Sequence, residues 1–157
     1  MTEQQRTSDE GVLTRIGQAR MLLHGGDREE ARNRLGVLWQ QLGPDGDPLH
    51  RCTLAHYLAD TQDDPDTELA WDLRALSAAE GLEDGRLVGH DSAAALRALY
   101  PKLHLDLAAD YAKLSRPDAA RAHLERARAA SDALDDDRYG MGVRAAIERL
   151  DRRLREG

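Results

Sequence analysis

Apolar residues recur along most of the chain at the spacing of an α-helix, and short groups of Gly, Pro, Asp or Ser interrupt them. Ile16, Ala19 and Leu23 form one such stripe, which stops at the pair Gly25-Gly26. Spacing near 3.6 residues is typical of helices with one buried face, and glycine is typical of helix ends. Phe is absent and β-branched residues are scarce, which disfavours strands. The sequence therefore predicts an all-α fold.

The interruptions divide the chain into paired helices. We predict a disordered tail over residues 1–8 and one helical domain over residues 9–157, because a chain of this length fits a single core. The domain is expected to hold three helical hairpins and a capping helix, at about residues 9–43, 47–81, 91–134 and 138–156. Residues 83–91 are the predicted flexible connection. Pro101 falls inside an apolar pattern and is expected to kink that helix or split it in two.

Charge and composition exclude several classes of protein. The formal charge is −7, which disfavours a nucleic-acid partner because phosphates attract basic surfaces. No run approaches the roughly 20 apolar residues of a membrane helix, and the first ten residues are polar. Cys52 is the single cysteine, so no internal disulfide forms. These features predict a soluble protein of the cytoplasm, and the excess of Arg over Lys indicates a GC-rich genome.

Two segments share one layout, in which a turn and acidic or capping residues precede an Ala followed by Arg. Residues 26–32 contain Ala31, and an apolar residue, Leu35, follows four positions later. Residues 115–121 contain Ala120, and Leu124 follows at the same distance. This layout resembles the inter-helix turn and second helix of the tetratricopeptide repeat family, and suggests a small bacterial member of the actinobacterial type. The resemblance implies antiparallel helical hairpins stacked as a short right-handed solenoid with a C-terminal capping helix.

The repeat spacing is irregular, and this leaves an alternative. Equivalent alanines are separated by 39 residues from Ala31 to Ala70 and by 50 residues from Ala70 to Ala120. The family repeats at about 34 residues. An irregular helical bundle would show the same amphipathic helices.

In the tetratricopeptide family, ligands lie on the inner surface formed by the first helix of each hairpin. When these family positions are carried over to this chain, the resemblance implies a mixed-charge groove. Its residues are Arg20, His24, Cys52, His56, Asp60, Lys102, Asp106 and Lys113. Such a set suits a protein or peptide partner held by charge-assisted hydrogen bonds. A basic stretch on that partner would suit the acidic balance of the chain. The same residues also fit an ordinary solvated face.

The predicted function is a non-catalytic adaptor that needs no cofactor and no metal. His50, Cys52 and His56 lie close in sequence, but Zn²⁺ takes three or four ligands and no Cys-x-x-Cys or His-Glu-x-x-His motif occurs. His90-Asp91 resembles the adjacent pair of helical metal-dependent phosphohydrolases, with His56 and Asp110 as further ligands. Two alternatives therefore remain, a helical sensor that binds a small molecule and a metal-dependent hydrolase built on His50, His56 and His90.

The terminal helix leaves the oligomeric state open. One of its faces carries the apolar residues Val143, Ile147, Leu150 and Leu154. This face either caps the chain's own solenoid or pairs with a second copy as a homodimer.

Overall fold

The computed structural model of the protein describes residues 3–83 and 90–156. Within these ranges the chain contains seven α-helices, one short 3-10 helix and no β-strand. The all-α prediction is confirmed. The α-helices are α1 (Glu3–His24), α2 (Arg28–Leu42), α3 (Pro48–Asp60), α4 (Pro65–Glu83), α5 (His90–Lys113), α6 (Pro117–Ala130) and α7 (Arg138–Glu156), with the 3-10 helix at Ser131–Ala133.

Glycine and aspartate residues mark the ends of the first three helices. Gly26 follows α1 with φ of +91°, and Gly43 follows α2 with φ of +70°. Both angles lie in the left-handed region, where glycine has no steric penalty from a side chain. Asp47 precedes α3, and its carboxylate accepts a hydrogen bond of 2.8 Å from the backbone N–H of Leu49. This side-chain cap satisfies a donor that the first turn of a helix leaves free.

Two local features bear on the expectations for the helices. Helix α1 begins at Glu3, so the chain is helical over most of the predicted tail at residues 1–8. Helix α5 continues through Pro101 as one element, so the alternative in which the proline splits the helix in two is wrong. The proline ring is fully buried, and packing offsets the missing backbone hydrogen bond. At the start of α2, the carbonyl of Asp27 accepts a hydrogen bond of 3.1 Å from the N–H of Ala31, whereas its side chain makes no cap.

Each helix packs against the next one in the chain. In addition, α1 contacts α3, α3 contacts α5 and α5 contacts α7. The odd-numbered helices therefore stand in one row, and the even-numbered helices connect them. Of the predicted flexible connection at residues 83–91, residues 84–89 lie outside the described residues, whereas Glu83 ends α4 and His90 begins α5.

Small residues fill the places where helices meet. Completely buried alanines occur in α1 to α6, and they allow the backbones to approach closely: Ala19, Ala31, Ala55, Ala75, Ala79, Ala108, Ala120 and Ala127. Leucines such as Leu35, Leu54 and Leu107 fill the remaining volume and are completely buried as well. Burial of this kind supplies most of the stabilisation of an amphipathic helix.

Helix α7 buries its apolar face within its own chain. Val143, Ile147 and Leu150 pack with Leu105 of α5 and Leu124 of α6. These three residues of α7 are therefore not available to a second copy of the chain, and the face predicted for a homodimer already has a partner. None of the described helices combines the length and the apolar character that crossing a bilayer requires.

Candidate functional site

Three of the eight residues predicted to line a groove lie apart from the others. Arg20 and His24 are exposed on α1, and the guanidinium carbon of Arg20 lies 5.7 Å from the centre of the Tyr57 ring. Cys52 is completely buried and packs in a core cluster that includes Ala55 and Leu103. Cys52 therefore does not line a surface for a partner, because its position in α3 points it into the core.

Four predicted residues come together where α3 meets α5. His56 Nδ1 lies 3.2 Å from Asp106 Oδ2, and Lys102 Nζ donates a hydrogen bond of 2.6 Å to Asp106 Oδ1. Asp60 is near enough that its charge acts on His56, Lys102 and Asp106. Lys102 and Asp106 share one face of α5, because residues four apart in a helix lie one turn above each other.

Asp106 is held in its ionised form. Burial alone would raise the pKa of its carboxyl, but the neighbouring His56 and the positive charge of Lys102 outweigh burial and lower that pKa. For Lys102, burial favours the neutral amine, yet the charge of Asp106 raises its pKa above the ordinary value. The two side chains therefore form a charged pair at neutral pH.

A second group of acidic residues adjoins the first, and of its members only Asp110 was predicted, as a ligand in the phosphohydrolase alternative. Asp72 of α4 is 4% exposed and Asp110 of α5 is 2% exposed. Glu68, one turn before Asp72, accepts a hydrogen bond of 2.8 Å from Lys113 Nζ. Lys113 belongs to the predicted groove, but the structure places it in this ion pair with α4. Together these residues connect α4 to α5.

The sequence contains a signal for these acids. Asp72 lies three residues after Leu69 and four before Leu76, so it occupies the apolar face of α4. Asp110 lies three residues after Leu107 on α5, also among buried positions. A carboxylate on a buried face is unusual because its desolvation is costly without a partner. The spacing therefore indicates that both carboxylates have a partner or a ligand, although no motif is present.

Asp72 and Asp110 share a proton. Burial, followed by the hydrogen bond with Asp110 and the negative charges of Asp106, Asp110 and Asp60, raises the pKa of Asp72 to about 11. Burial raises the pKa of Asp110 as well, to about 6, although the hydrogen bond from Asp72 acts in the opposite direction. At neutral pH the protonated Asp72 therefore donates a hydrogen bond to an ionised Asp110.

Two sets of three side chains have the composition of a metal site. One set is His56, Asp72 and Asp106, and the other is Glu68, Asp72 and Asp110. Within each set, the candidate ligand atoms all lie within 4.8 Å of one another. Neither set contains His50 or Cys52, which are buried elsewhere in α3, and the side chain of His90 lies outside the described residues.

An open groove of about 680 Å³ runs between α5 and α7, beside Lys102 and Asp106. Three arginines of α7 face these two residues across it. The remaining lining residues are small, apolar or acidic. The whole lining is Lys102, Leu105, Asp106, Ala109, Ala146, Arg149, Leu150, Arg152, Arg153 and Glu156.

Comparison of the chain with protein-family models, with curated proteins and with solved structures gives no match.

Proposed function

We propose that the chain is a tetratricopeptide-like adaptor of the cytoplasm that binds a segment of a partner protein in the groove between α5 and α7. Its helices would form a short right-handed solenoid in which α7 is the cap. The row of contacts from α1 to α3, α5 and α7 supports this arrangement. So do the buried alanines at the helix contacts, because stacked hairpins need small residues where their backbones cross.

The groove between α5 and α7 is the observation on which this proposal rests. It is an open groove with a volume of about 680 Å³, and the docking of a partner segment into a groove is a recurring mode of peptide recognition. Both of its walls are helices, and α7 is fixed to the rest of the protein by the buried face described above. A groove with rigid walls holds its side chains in place before binding, which lowers the entropic cost of association.

The charges that line the groove indicate the chemistry of the partner. Arg149, Arg152, Arg153 and Lys102 contribute four positive charges, whereas Asp106 and Glu156 contribute two negative ones. The surface is therefore locally basic in an acidic protein, and the predicted basic partner segment does not fit it. An acidic segment suits it better, because arginine binds carboxylates through paired hydrogen bonds. The output of such a module is association and not turnover.

Affinity capture from the cytosol of the source organism tests this function. The bait is the wild-type chain, and the groove variant is Arg149→Glu with Arg153→Glu. A matched variant, Arg15→Glu with Arg34→Glu, changes the charge equally in a separate depression of about 390 Å³ between α1 and α2. Circular dichroism verifies that all three chains are folded.

We expect a protein that the wild-type chain and the Arg15/Arg34 variant capture and that the groove variant loses. The partner should also elute as the salt concentration rises, because charge pairs at the rim are screened. Equal capture by the groove variant and the wild-type chain would contradict the proposal.

A further inference from the structure

The acidic residues between α4 and α5 carry more negative charge than the surrounding side chains neutralise. Lys102 pairs with Asp106, and Lys113 pairs with Glu68. Asp72 and Asp110 take part in no ion pair within the described part of the chain, although both are buried. Two carboxylates in this position require a proton or a cation between them.

Asp110 contributes a second observation. Its Oδ2 atom is shielded from solvent and has no hydrogen-bond partner among the residues that the structure describes. A buried oxygen without a donor costs about 1 to 3 kcal/mol, so native proteins seldom leave one in that state. The side chain is directed at Asp72 and Glu68, the other members of its set.

We propose that Glu68, Asp72 and Asp110 bind one divalent cation of the Mg²⁺ or Mn²⁺ class. Their oxygens lie within 4.8 Å of one another, so a cation at the centre of the triangle is at most about 2.8 Å from each oxygen. Small side-chain rotations shorten these distances to the 2.0–2.1 Å that Mg²⁺ requires, with water completing the coordination. Three carboxylates and no thiolate select a hard cation.

The cation has a route to the site past Glu68, whose side chain is 19% exposed. Lys113 Nζ occupies that position in the present arrangement, and it is itself half exposed. Binding therefore displaces the ammonium group into solvent, where it is readily hydrated. The bound ion would join α4 to α5 directly.

A cation explains more of this geometry than the shared proton does. The proton neutralises one carboxyl group, but it leaves the second charge of the Asp72–Asp110 pair in the interior. A divalent cation compensates both carboxylates of this pair and supplies a partner for Asp110 Oδ2. The remaining negative charge is then that of Glu68 without Lys113, at the more exposed end of the site.

Metal is first removed from the purified chain with a chelator. The chain is then titrated with Mn²⁺ at pH 7.5, and electron paramagnetic resonance measures the concentration of free Mn²⁺. We expect one bound Mn²⁺ per chain and a loss of affinity of at least about tenfold in Asp110→Asn. The matched control is Asp60→Asn, which removes one negative charge nearby but belongs to neither set. It should retain the site, and thermal denaturation should show both variants folded.

Three results would overturn the proposal. One is the absence of Mn²⁺ binding by the wild-type chain, and another is equal affinity in Asp110→Asn and the wild-type chain. The third is loss of binding in His56→Gln with retention in Asp110→Asn, because the ion would then occupy the His56, Asp72 and Asp106 set. If excess Mg²⁺ displaces the bound Mn²⁺, the site also binds Mg²⁺.

Discussion

Replacement of Asp72 by Asn should make the metal-free protein more stable, and the gain should increase with pH. Asp72 is almost completely buried in α4 and shares a proton with Asp110. Asparagine has nearly the same shape, and its amide donates a hydrogen bond to Asp110 without taking up a proton. The variant therefore keeps the local geometry and has no titratable group at position 72.

The magnitude follows from proton linkage. Burial and the neighbouring acids raise the pKa of Asp72 to about 11, whereas an unfolded aspartate has a pKa of about 3.9. Between these values the folded state holds one proton more than the unfolded state, so the free energy of unfolding falls as pH rises. The slope for one proton is about 1.4 kcal/mol per pH unit. From pH 6.5 to 8.5 the wild-type chain should lose up to about 3 kcal/mol through Asp72.

This interval also separates Asp72 from Asp110. The pKa of Asp110 is raised only to about 6, so its contribution is lost between about pH 4 and pH 6 and is nearly constant above. Urea denaturation at pH 6.5, 7.5 and 8.5 with a chelator present measures the difference between wild type and Asp72→Asn. Asp118→Asn, a change at a fully exposed carboxylate, is the matched control and should follow the wild-type slope. Parallel pH profiles for wild type and Asp72→Asn would refute the reasoning, because Asp72 would then be ionised in the folded protein.

Three further predictions concern the packing. Burial raises the pKa of the Cys52 thiol to about 12, so it should react with a thiol reagent such as DTNB only after denaturant unfolds the chain. Gly140→Ala should lower the free energy of unfolding by about 1–3 kcal/mol, because the new Cβ would lie 2.0 Å from the carbonyl oxygen of Asp135. Gly142→Ala, with no atom within 4 Å of its Cβ, should instead raise it by up to about 1 kcal/mol. Leu124→Ala should cost about 2–5 kcal/mol in urea denaturation, since its side chain is buried in the cluster that holds α7.

The helical character of this chain could be predicted because it depends on local information. The stripe of Ile16 and Ala19 and the glycine pair after α1 determine a helix and its end without reference to the rest of the protein. The course of α5 through Pro101 could not be predicted in the same way. Whether a proline breaks a helix depends on the tertiary contacts that bury it, and these are absent from a local pattern.

The candidate site was predictable only in part, for a related reason. The family resemblance implied Lys102, Asp106 and His56 as groove residues, and the structure places the three side chains together. Spacing does not show which side chain faces that position from another helix. Asp72 comes from α4 and meets Asp110 only through the packing of α4 on α5. For the same reason the sequence could not show that Cys52 is buried in the core whereas His56, one helical turn away, lies beside Asp106.

Asp106 connects the groove with the buried acids, and this connection has a physical consequence. Its Oδ1 atom accepts from Lys102 at the groove, and its Oδ2 atom faces His56 in the set that includes Asp72. An acidic segment in the groove would compete with Asp106 for Lys102 and leave the Asp106 carboxylate less compensated. The electrostatic cost of leaving Asp106 without Lys102 is largest while the nearby carboxylates have no cation, because like charges in a shielded site repel strongly. A cation at Asp72 and Asp110 would reduce this repulsion, so the proposed ion and the proposed partner should favour each other's binding by the same factor.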